Sequence, residues 1–273
     1  MTTSTIDGVR LYWEQHGERG APLVLVHGSW GDHHNWDAVV PALARSFRVF
    51  TYDRRGHSQS EGLAAQGHID EDVADLAGLI TSNGLAPAHI AGNSFGAAIT
   101  LKLAAARPDV FASMTVHEPP LIGMLGQHPA LPIVRERIGL VLDMLRAGKH
   151  EAGAEQFVET VGLGPGMWAR LPPEMRQTFV SNAPTFLDEM NEPESVMAVD
   201  LTRLAAFDRP ALVTQGDQSP PFFGVILEKI AAALPQARRH TFRGAGHIPH
   251  VTHPEDYVKV VGGFIADAVL TRG

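Results

Sequence analysis

Apolar residues along the chain alternate between short continuous runs and longer stretches with helical spacing. The runs at 23–26 and 48–52 are typical of strands buried on both faces of a parallel sheet. Residues 70–82 instead carry apolar side chains at helical spacing behind an acidic first turn. Repeated alternation predicts an α/β fold, with a mostly parallel twisted sheet covered by helices on both faces. Ligands of such sheets bind at the carboxyl ends of the strands.

The same pattern gives the boundaries of the predicted elements. Strands are expected at 10–15, 23–26, 48–52, 88–91, 113–117, 211–214 and 239–242. Helices are expected at 35–44, 70–82, 97–104 and 254–269.

One long segment departs from the alternation. Between residue 118 and about residue 202 the pattern favours helices, at 133–146, 150–161 and 174–182, and no good strand. We therefore predict a core domain made of 1–118 and 203–273, with 119–202 inserted as a helical cap that forms a pocket and excludes water. A second packing layer without a role in binding is the alternative.

Composition limits the classes of function. The chain has 273 residues and a net charge of −8, which disfavours binding to nucleic acid or to an anionic membrane surface. It has no cysteine, so thiolate catalysis, disulfides and cysteine metal sites are excluded. No apolar run is long enough to span a bilayer and no signal peptide is visible, so we expect a soluble, cytoplasmic protein. The oligomeric state is not readable from the sequence.

The sequence Gly-Asn-Ser-Phe-Gly at 92–96 carries the clearest chemical signal. It follows the predicted strand at 88–91 and precedes a helix-like run. This is the setting of a nucleophile elbow, in which a sharp turn presents a serine at the carboxyl end of a sheet. Only small residues fit on either side of such a serine. Ser94 is the predicted nucleophile, and a serine that merely caps a helix is the alternative.

Four ordered motifs together resemble the α/β-hydrolase fold family with a helical cap. They are His27-Gly28-Ser29-Trp30, Tyr52-Asp53-Arg54-Arg55-Gly56-His57-Ser58, Gly92-Asn93-Ser94-Phe95-Gly96 and Gly246-His247. The resemblance covers nearly the whole chain and implies a serine, an acid and a histidine in that order.

A serine hydroxyl needs an adjacent base, and the base needs a group that fixes its tautomer. Among the 14 histidines, His247 follows the last predicted strand, where the family places its base. We expect His250 and His253 to be exposed loop residues. The resemblance gives His27 a structural role beneath the oxyanion loop, and His57 and His117 are expected to be structural.

The acid has two candidate positions. The family usually supplies an aspartate after the penultimate strand, but Ser219 stands at that place in this chain. Glu118 follows the strand after the serine helix, which resembles the zearalenone-lactonase-like branch. A wider group of similar hydrolases pairs Glu-Pro-Pro with Ser-Pro-Pro, and this chain has both, at 118–120 and 219–221. We predict Glu118 as the acid and keep Asp217 as the alternative.

The remaining site predictions concern the oxyanion hole and the pocket. The backbone N–H groups of Phe95 and Ser29 are expected to bind the developing oxyanion. Substrate contacts are predicted at five apolar side chains: Trp30, Leu121, Trp168, Phe222 and Ile248. For Trp30, core packing is the alternative.

These residues predict an enzyme that hydrolyses a carboxylic ester or lactone of a small apolar molecule through an acyl-enzyme. No cofactor is required, and no metal site is indicated because the histidines and carboxylates lack ligand spacing. The same fold and triad also support carbon–carbon bond hydrolysis, cofactor-free perhydrolase activity and cyanohydrin cleavage. A hydrolase-fold ligand receptor with slow turnover is a further alternative from another class.

Overall fold

A computed structural model describes residues 2–63, 66–196 and 198–270 of the chain. The strands in these residues are β1 Thr2–Ile6, β2 Val9–His16, β3 Pro22–Val26, β4 Arg48–Tyr52, β5 Ala88–Asn93, β6 Phe111–His117, β7 Ala211–Gly216 and β8 Arg238–Phe242. They form one sheet in the order β1-β2-β4-β3-β5-β6-β7-β8. Strand β2 is antiparallel to both β1 and β4, and all other neighbours are parallel.

The helices lie between the strands. They are α1 Val40–Leu43, α2 Ile69–Ser82, α3 Phe95–Ala106, α4 Ala130–Arg146, α5 His150–Phe157, α6 Pro173–Asn182, α7 Thr185–Glu189, α8 Pro193–Val196, α9 Leu201–Leu204, α10 Phe222–Ala233, α11 Pro249–Thr252, α12 Pro254–Tyr257 and α13 Gly263–Leu270. Short 3-10 turns cover His33–Trp36, Pro108–Val110, Ile122–Leu125 and Trp168–Arg170, and π-helical turns cover Val158–Gly162 and Val258–Gly262.

The central strands are buried on both faces, which explains their continuous apolar sequence. In β3, Val24 and Val26 belong to one core with α2, α3 and α10, whereas Leu23 and Leu25 belong to a second core with α1 and α13. Side chains of a strand alternate between its two faces, so each face needs its own apolar residues. The predicted doubly covered parallel sheet is confirmed.

Two elements differ from the predictions. Strand β1 was not predicted, because its sequence is Thr-Thr-Ser-Thr-Ile and Ile6 alone is buried, as suits an edge strand. The helix predicted at 35–44 is instead a 3-10 turn followed by α1. Helix α1 begins at Val40 and has Pro41 in its first turn, a position that proline fits.

Residues 119–202 lie within the connection between β6 and β7, and their described part contains helices and turns but no strand. Helices α4 to α7 of this segment share an apolar cluster with Trp30 from the loop after β3. The segment therefore packs over the carboxyl ends of the strands, and its role as a functional cap stays a prediction.

None of the described helices combines the length and the apolar character needed to cross a bilayer.

Candidate active site

Ser94 lies in a strained turn between β5 and α3. Its backbone has φ +55° and ψ −122°, a conformation that residues with side chains seldom adopt. The Ser94 N–H donates to the His117 carbonyl at 2.9 Å, which fixes the turn to the neighbouring strand.

The two glycines beside Ser94 are required by close backbone contacts. A Cβ on Gly92 would lie 2.4 Å from the Gly96 carbonyl oxygen, and a Cβ on Gly96 would lie 2.2 Å from the Val26 carbonyl oxygen. No side chain fits at such distances, so the sequence around Ser94 follows from the tightness of the turn.

Glu118 and His247 form a buried pair next to this turn. The His247 Nδ1 lies 2.7 Å from the Glu118 Oε2, and both side chains are buried. The other carboxylate oxygen accepts from the Gly216 N–H at 2.7 Å, and Ser219 donates to Oε2 at 2.8 Å. Glu118 itself has φ +44°, so the chain turns sharply where β6 ends.

The surroundings of Glu118 favour its charged form. Burial raises the pKa of the carboxyl, but the hydrogen bond with His247, the charges of His117 and His247 and the Gly216 N–H together lower it below its usual value. A negative carboxylate at this place accepts the Nδ1 proton of His247 and leaves Nε2 free to act as a base.

One contact holds the backbone of His247 and another holds its imidazole ring. The Asn93 side chain donates to the His247 carbonyl at 2.9 Å, which ties the loop after β8 to the strand that carries Ser94. The Phe223 ring stacks on the imidazole at a centroid distance of 4.9 Å.

The alternative acid, Asp217, lies elsewhere. It is exposed and accepts hydrogen bonds from the Gly244 N–H at 2.8 Å and from the Gln218 side chain at 2.9 Å. The bond from Gly244 joins the loop after β7 to the loop after β8. The structure thus brings Glu118, and not Asp217, into contact with His247.

The loop after β3 approaches Ser94 closely. A Cβ on Gly28 would lie 3.0 Å from the Ser94 Cβ, so this glycine allows the loop to pass beside the serine. His27 supports the loop from the core: its Nε2 accepts from the Arg54 N–H at 3.0 Å, and its Nδ1 donates to the Gly28 carbonyl at 2.8 Å. Burial lowers the pKa of His27 well below its usual value, which keeps the ring neutral.

An apolar cavity lies beside Ser94 and His247. Its polar side chains are Ser29, Ser94 and His247, and the rest of its wall is apolar: Phe95, Pro120, Ile122, Val134, Ile138, Phe157, Val161, Gly162, Phe186, Met190, Val196, Phe222 and Phe223. Among the described residues, no aspartate, glutamate, lysine or arginine lines it. Most of the wall comes from residues 119–202.

The predicted substrate contacts are only partly placed at this cavity. Phe222 lines it, as do Ser29 and Phe95. Trp30, Leu121, Trp168 and Ile248 do not; Trp30 is fully buried and packs against Phe157 and Phe186 at centroid distances of 5.0 Å. Trp168 belongs to the same apolar cluster as Trp30. Core packing therefore describes their contacts.

One prediction about the other histidines is wrong. His250 is not an exposed loop residue but is fully buried, with its ring 4.4 Å from Trp36 and 5.8 Å from Tyr257. It lies on α11, which packs against the 3-10 turn that contains Trp36, and a single histidine in a loop sequence gives no sign of this. His253 is half-buried.

His57 and His117, which the sequence predicts to be structural, are buried, and burial lowers their pKa values to about 3 and about 4, respectively.

Three contacts near the site could not be predicted from the sequence. The paired Glu-Pro-Pro and Ser-Pro-Pro sequences indicated that Glu118 and Ser219 are related, but not that the Ser219 hydroxyl bonds to the Glu118 carboxylate. Asn93 lies inside the serine motif and gave no signal of its bond to the loop after β8. The Arg54–Glu189 ion pair, at 2.8 Å, joins residues far apart in sequence.

Two groups of side chains in the described residues bring potential metal ligands within 4.8 Å of one another. They are His117 with Glu118 and His247, and Asp32 with His33 and Asp53. Each group already has an internal hydrogen bond, His247–Glu118 at 2.7 Å and His33–Asp53 at 2.6 Å, which a metal ion would have to break.

Comparisons with known proteins agree with this architecture. The chain is 40% identical over 112 residues to the dihydrolipoyllysine-residue acetyltransferase component of the acetoin cleaving system of Pseudomonas putida, a match that spans 41% of this chain and 30% of that protein. It is 23% identical over 265 residues to the pimeloyl-(acyl-carrier protein) methyl ester esterase of Yersinia pestis, covering 93% and 97% of the two chains.

A solved structure shares the fold over almost the full length. The enol-lactonase from Burkholderia xenovorans LB400 superposes with a TM-score of 0.80 at 24% identity, covering 97% of this chain and 100% of that chain. At this identity the likeness concerns the fold.

The family model described as "Alpha/beta hydrolase family" matches residues 23–260, from β3 to the last helices and through every motif described above. The chain therefore belongs to the alpha/beta hydrolase family.

Proposed function

We propose that this protein is a serine hydrolase that cleaves a carboxylic ester or lactone of a small apolar molecule through an acyl-enzyme. The proposal depends most on one observation. His247 is held by Glu118 at 2.7 Å and lines the same apolar cavity as Ser94, the strained serine at the end of β5.

In the first step the Ser94 hydroxyl attacks the carbonyl carbon of the substrate. The Nε2 of His247 takes the hydroxyl proton, and the carbonyl oxygen becomes a tetrahedral oxyanion. Glu118 stays ionised and stabilises the imidazolium that forms. When the tetrahedral intermediate collapses, the bond to the alcohol oxygen breaks and His247 returns the proton to that oxygen.

In the second step water replaces the alcohol. His247 removes a proton from water, hydroxide adds to the acyl carbon, and the Ser94 oxygen leaves with the proton from His247. For a lactone the alcohol and acid belong to one molecule, so ring opening gives a single hydroxy acid.

The oxyanion is proposed to bind two backbone N–H groups, those of Ser29 and Phe95. Phe95 begins α3, so its N–H points out of the first turn of a helix, where negative charge is also favoured by the helix dipole. Gly28 lets Ser29 approach the serine from the opposite loop. Both residues line the cavity.

The lining of the cavity supports an uncharged, apolar substrate. The part of its wall that the structure describes has no arginine or lysine to pair with an anionic group, and a buried charge without a partner is strongly disfavoured. We propose that residues 119–202 act as a cap whose apolar side chains hold the acyl or alcohol part.

We propose that Glu118, placed directly after β6, is the acid of this site, in a position that resembles the zearalenone-lactonase-like branch. We propose a common layout of the site, without extending the substrate of that branch to this chain. The relatives whose names denote an esterase and an enol-lactonase support the same reaction class.

A panel of p-nitrophenyl esters and lactones with graded acyl size tests the proposal. We expect hydrolysis of short, uncharged substrates that is lost in Ser94→Ala and kept in Ser82→Ala, a matched change at an exposed serine. Equal hydrolysis by the Ser94→Ala protein would contradict the proposal. Tight binding with negligible turnover would favour a ligand receptor instead.

A further inference from the structure

A buried ionic cluster lies next to the loops around Ser94 and takes no part in the proposed chemistry. It consists of Arg54, Asp72 and Glu189, which are 1%, 7% and 6% exposed. The Arg54 guanidinium donates to Asp72 at 3.0 Å and to Glu189 at 2.8 Å. Charged groups are rarely placed so deep in a protein unless they are paired.

The cluster joins separate parts of the chain. Arg54 follows β4 and Asp72 lies on α2, so both belong to the layers of the central sheet. Glu189 is the last residue of α7, inside the segment 119–202 that covers the cavity. The Arg54–Glu189 ion pair is thus a buried polar connection between the core and the proposed cap.

Arg54 also contacts both loops that are proposed to form the oxyanion hole. The nitrogen that donates to Glu189, Nη1, lies 3.4 Å from the carbonyl oxygen of Gly28, the residue before Ser29. The guanidinium carbon lies 4.4 Å from the centre of the Phe95 ring, a cation–π contact. One guanidinium therefore contacts a group on each side of the proposed hole.

Glu189 controls where this guanidinium lies, because Arg54 is held between two carboxylates. Burial raises the pKa of Glu189 above its usual value, and the Arg54 charge and the hydrogen bonds from Ser29 and Arg54 oppose that rise. Without Glu189, Asp72 is the remaining carboxylate partner of the guanidinium within this cluster, and we expect the contact of Nη1 with the Gly28 carbonyl to weaken. Small displacements of oxyanion donors have large kinetic effects.

We propose that Glu189 is a positioning residue, which sets the geometry of the Ser29 and Phe95 donors through its ion pair with Arg54. The inference rests on the proposed function. Glu189 does not line the cavity beside Ser94, so its substitution is expected to change the rate of the chemical step more than substrate binding.

The test compares Glu189→Gln and Glu189→Asp with Asp188→Asn. Asp188 is the adjacent cap carboxylate, and it accepts from the Gln66 side chain at 2.8 Å, so it also joins cap and core but not at the oxyanion loops. Turnover of a p-nitrophenyl ester is measured per active site, with sites counted by end-point labelling with a fluorophosphonate. Counting sites removes the effect of any misfolded fraction.

We expect kcat per site to fall by about tenfold to a hundredfold in Glu189→Gln, with KM within about threefold of the parent value. Glu189→Asp keeps the charge but shortens the reach, so it should lie between the parent and Glu189→Gln, and Asp188→Asn should stay within about twofold. The rate of fluorophosphonate labelling, which uses the same oxyanion hole, should fall in parallel with kcat.

A Glu189→Gln protein with parental kcat per site would overturn the inference. If that variant does not fold, parental kcat per site in Glu189→Asp would overturn it equally. Failure of the proposed function is distinguishable, because a parent chain that neither hydrolyses an ester nor labels at Ser94 would end both claims.

Discussion

Ser219 donates its hydroxyl proton to the same oxygen of Glu118 that faces His247. The two distances to Glu118 Oε2 are 2.8 Å from Ser219 Oγ and 2.7 Å from His247 Nδ1. A third bond, from the Gly216 N–H, occupies the other oxygen. The serine that stands where the family usually has its aspartate thus supports a carboxylate supplied by the neighbouring strand.

Removal of the Ser219 hydroxyl should slow turnover. We expect Ser219→Ala to lower kcat by about three- to tenfold, since a hydrogen bond to a charged group contributes about 1.5–3 kcal/mol and only part of it is felt in the transition state. Ser219→Thr keeps a hydroxyl and should retain more activity. Steady-state kinetics on one ester measures both, and Ser219→Ala at the parental rate would show that Gly216 suffices to hold the carboxylate.

Substitution of Glu118, the proposed acid, should lower kcat much more than substitution of Ser219. We expect Glu118→Gln to reduce kcat by about 10³–10⁴, because loss of the acid leaves His247 in the wrong tautomer, whereas Asp217→Asn should change kcat by less than about twofold. Asp217 is the matched control because it is an exposed carboxylate on the adjacent loop. The reverse order of effects would move the acid to the loop after β7.

The placement of Ser94 and Glu118 at strand ends could be predicted because β5 and β6 are buried strands with recognisable apolar runs. His247 follows β8, whose sequence Arg-Arg-His-Thr-Phe has no such run, and its position was predicted from the family resemblance instead. The carboxyl ends of neighbouring parallel strands meet at one edge, so β5 and β6 bring Ser94 and Glu118 together.

The environment of the cap residues and of His250 could not be predicted in the same way. The direction of a side chain in a turn or a short helix depends on what packs against it. Trp30, in the turn after β3, and Trp168, in a 3-10 turn, therefore join the apolar cluster formed with residues 119–202 and not the cavity wall. The Arg54–Glu189 pair joins residues separated by 135 positions, and neither has a local sequence signal for the other. Edge strand β1 was missed because a strand exposed to solvent needs no apolar run.

The tight turn at Ser94 predicts a strong effect of a single methyl group. In Gly96→Ala the new Cβ would lie 2.2 Å from the Val26 carbonyl oxygen, so the backbone must move and we expect a loss of about 3 kcal/mol or more in stability, together with most activity. Gly139→Ala on α4 is the control. Nothing lies within 4 Å of its Cβ, and alanine in a helix interior is favoured by about 0.5–1 kcal/mol.

Urea unfolding of both variants checks this prediction. Equal midpoints for Gly96→Ala and the parent chain would show that the turn is looser than the structure indicates.

The π-helical turn at Val158–Gly162 should set the size limit of the cavity. A Cβ on Gly162 would lie 2.9 Å from Cε1 of Phe157, and both residues line the cavity, so Gly162→Ala should push the ring into it. We expect kcat/KM for the bulkiest accepted ester to fall by about tenfold, while that for an acetyl ester changes by less than about twofold. Gly139→Ala serves again as control, and an equal loss for both esters would exclude a role in size selection.

Mild acid should destabilise the protein through its buried histidines. Burial lowers the pKa of His57 to about 3 and that of His117 to about 4, both below the ordinary value of 6.5. Between those values and 6.5 the unfolded chain binds more protons, so stability falls as the pH falls, by up to about 1.4 kcal/mol per pH unit for each histidine. The lowered pKa of Glu118 acts only at more acidic pH, below its ordinary value of 4.5.

Urea unfolding between pH 6.5 and 5 measures this dependence. His117→Gln cannot take up the proton, so its slope should be smaller than that of the parent, by up to about 1.4 kcal/mol per pH unit at the acidic end of this range. An unchanged slope in His117→Gln would mean that this ring is protonated as readily in the folded chain.

Covalent labelling with a fluorophosphonate, followed by peptide mass mapping, tests the central claim without knowledge of the substrate. The account predicts one adduct on Ser94, absent from Ser94→Ala, formed orders of magnitude more slowly in Glu118→Gln and at the parental rate in Asp217→Asn. An adduct on another residue, or hydrolysis of esters by a chain whose Ser94 never labels, would contradict it.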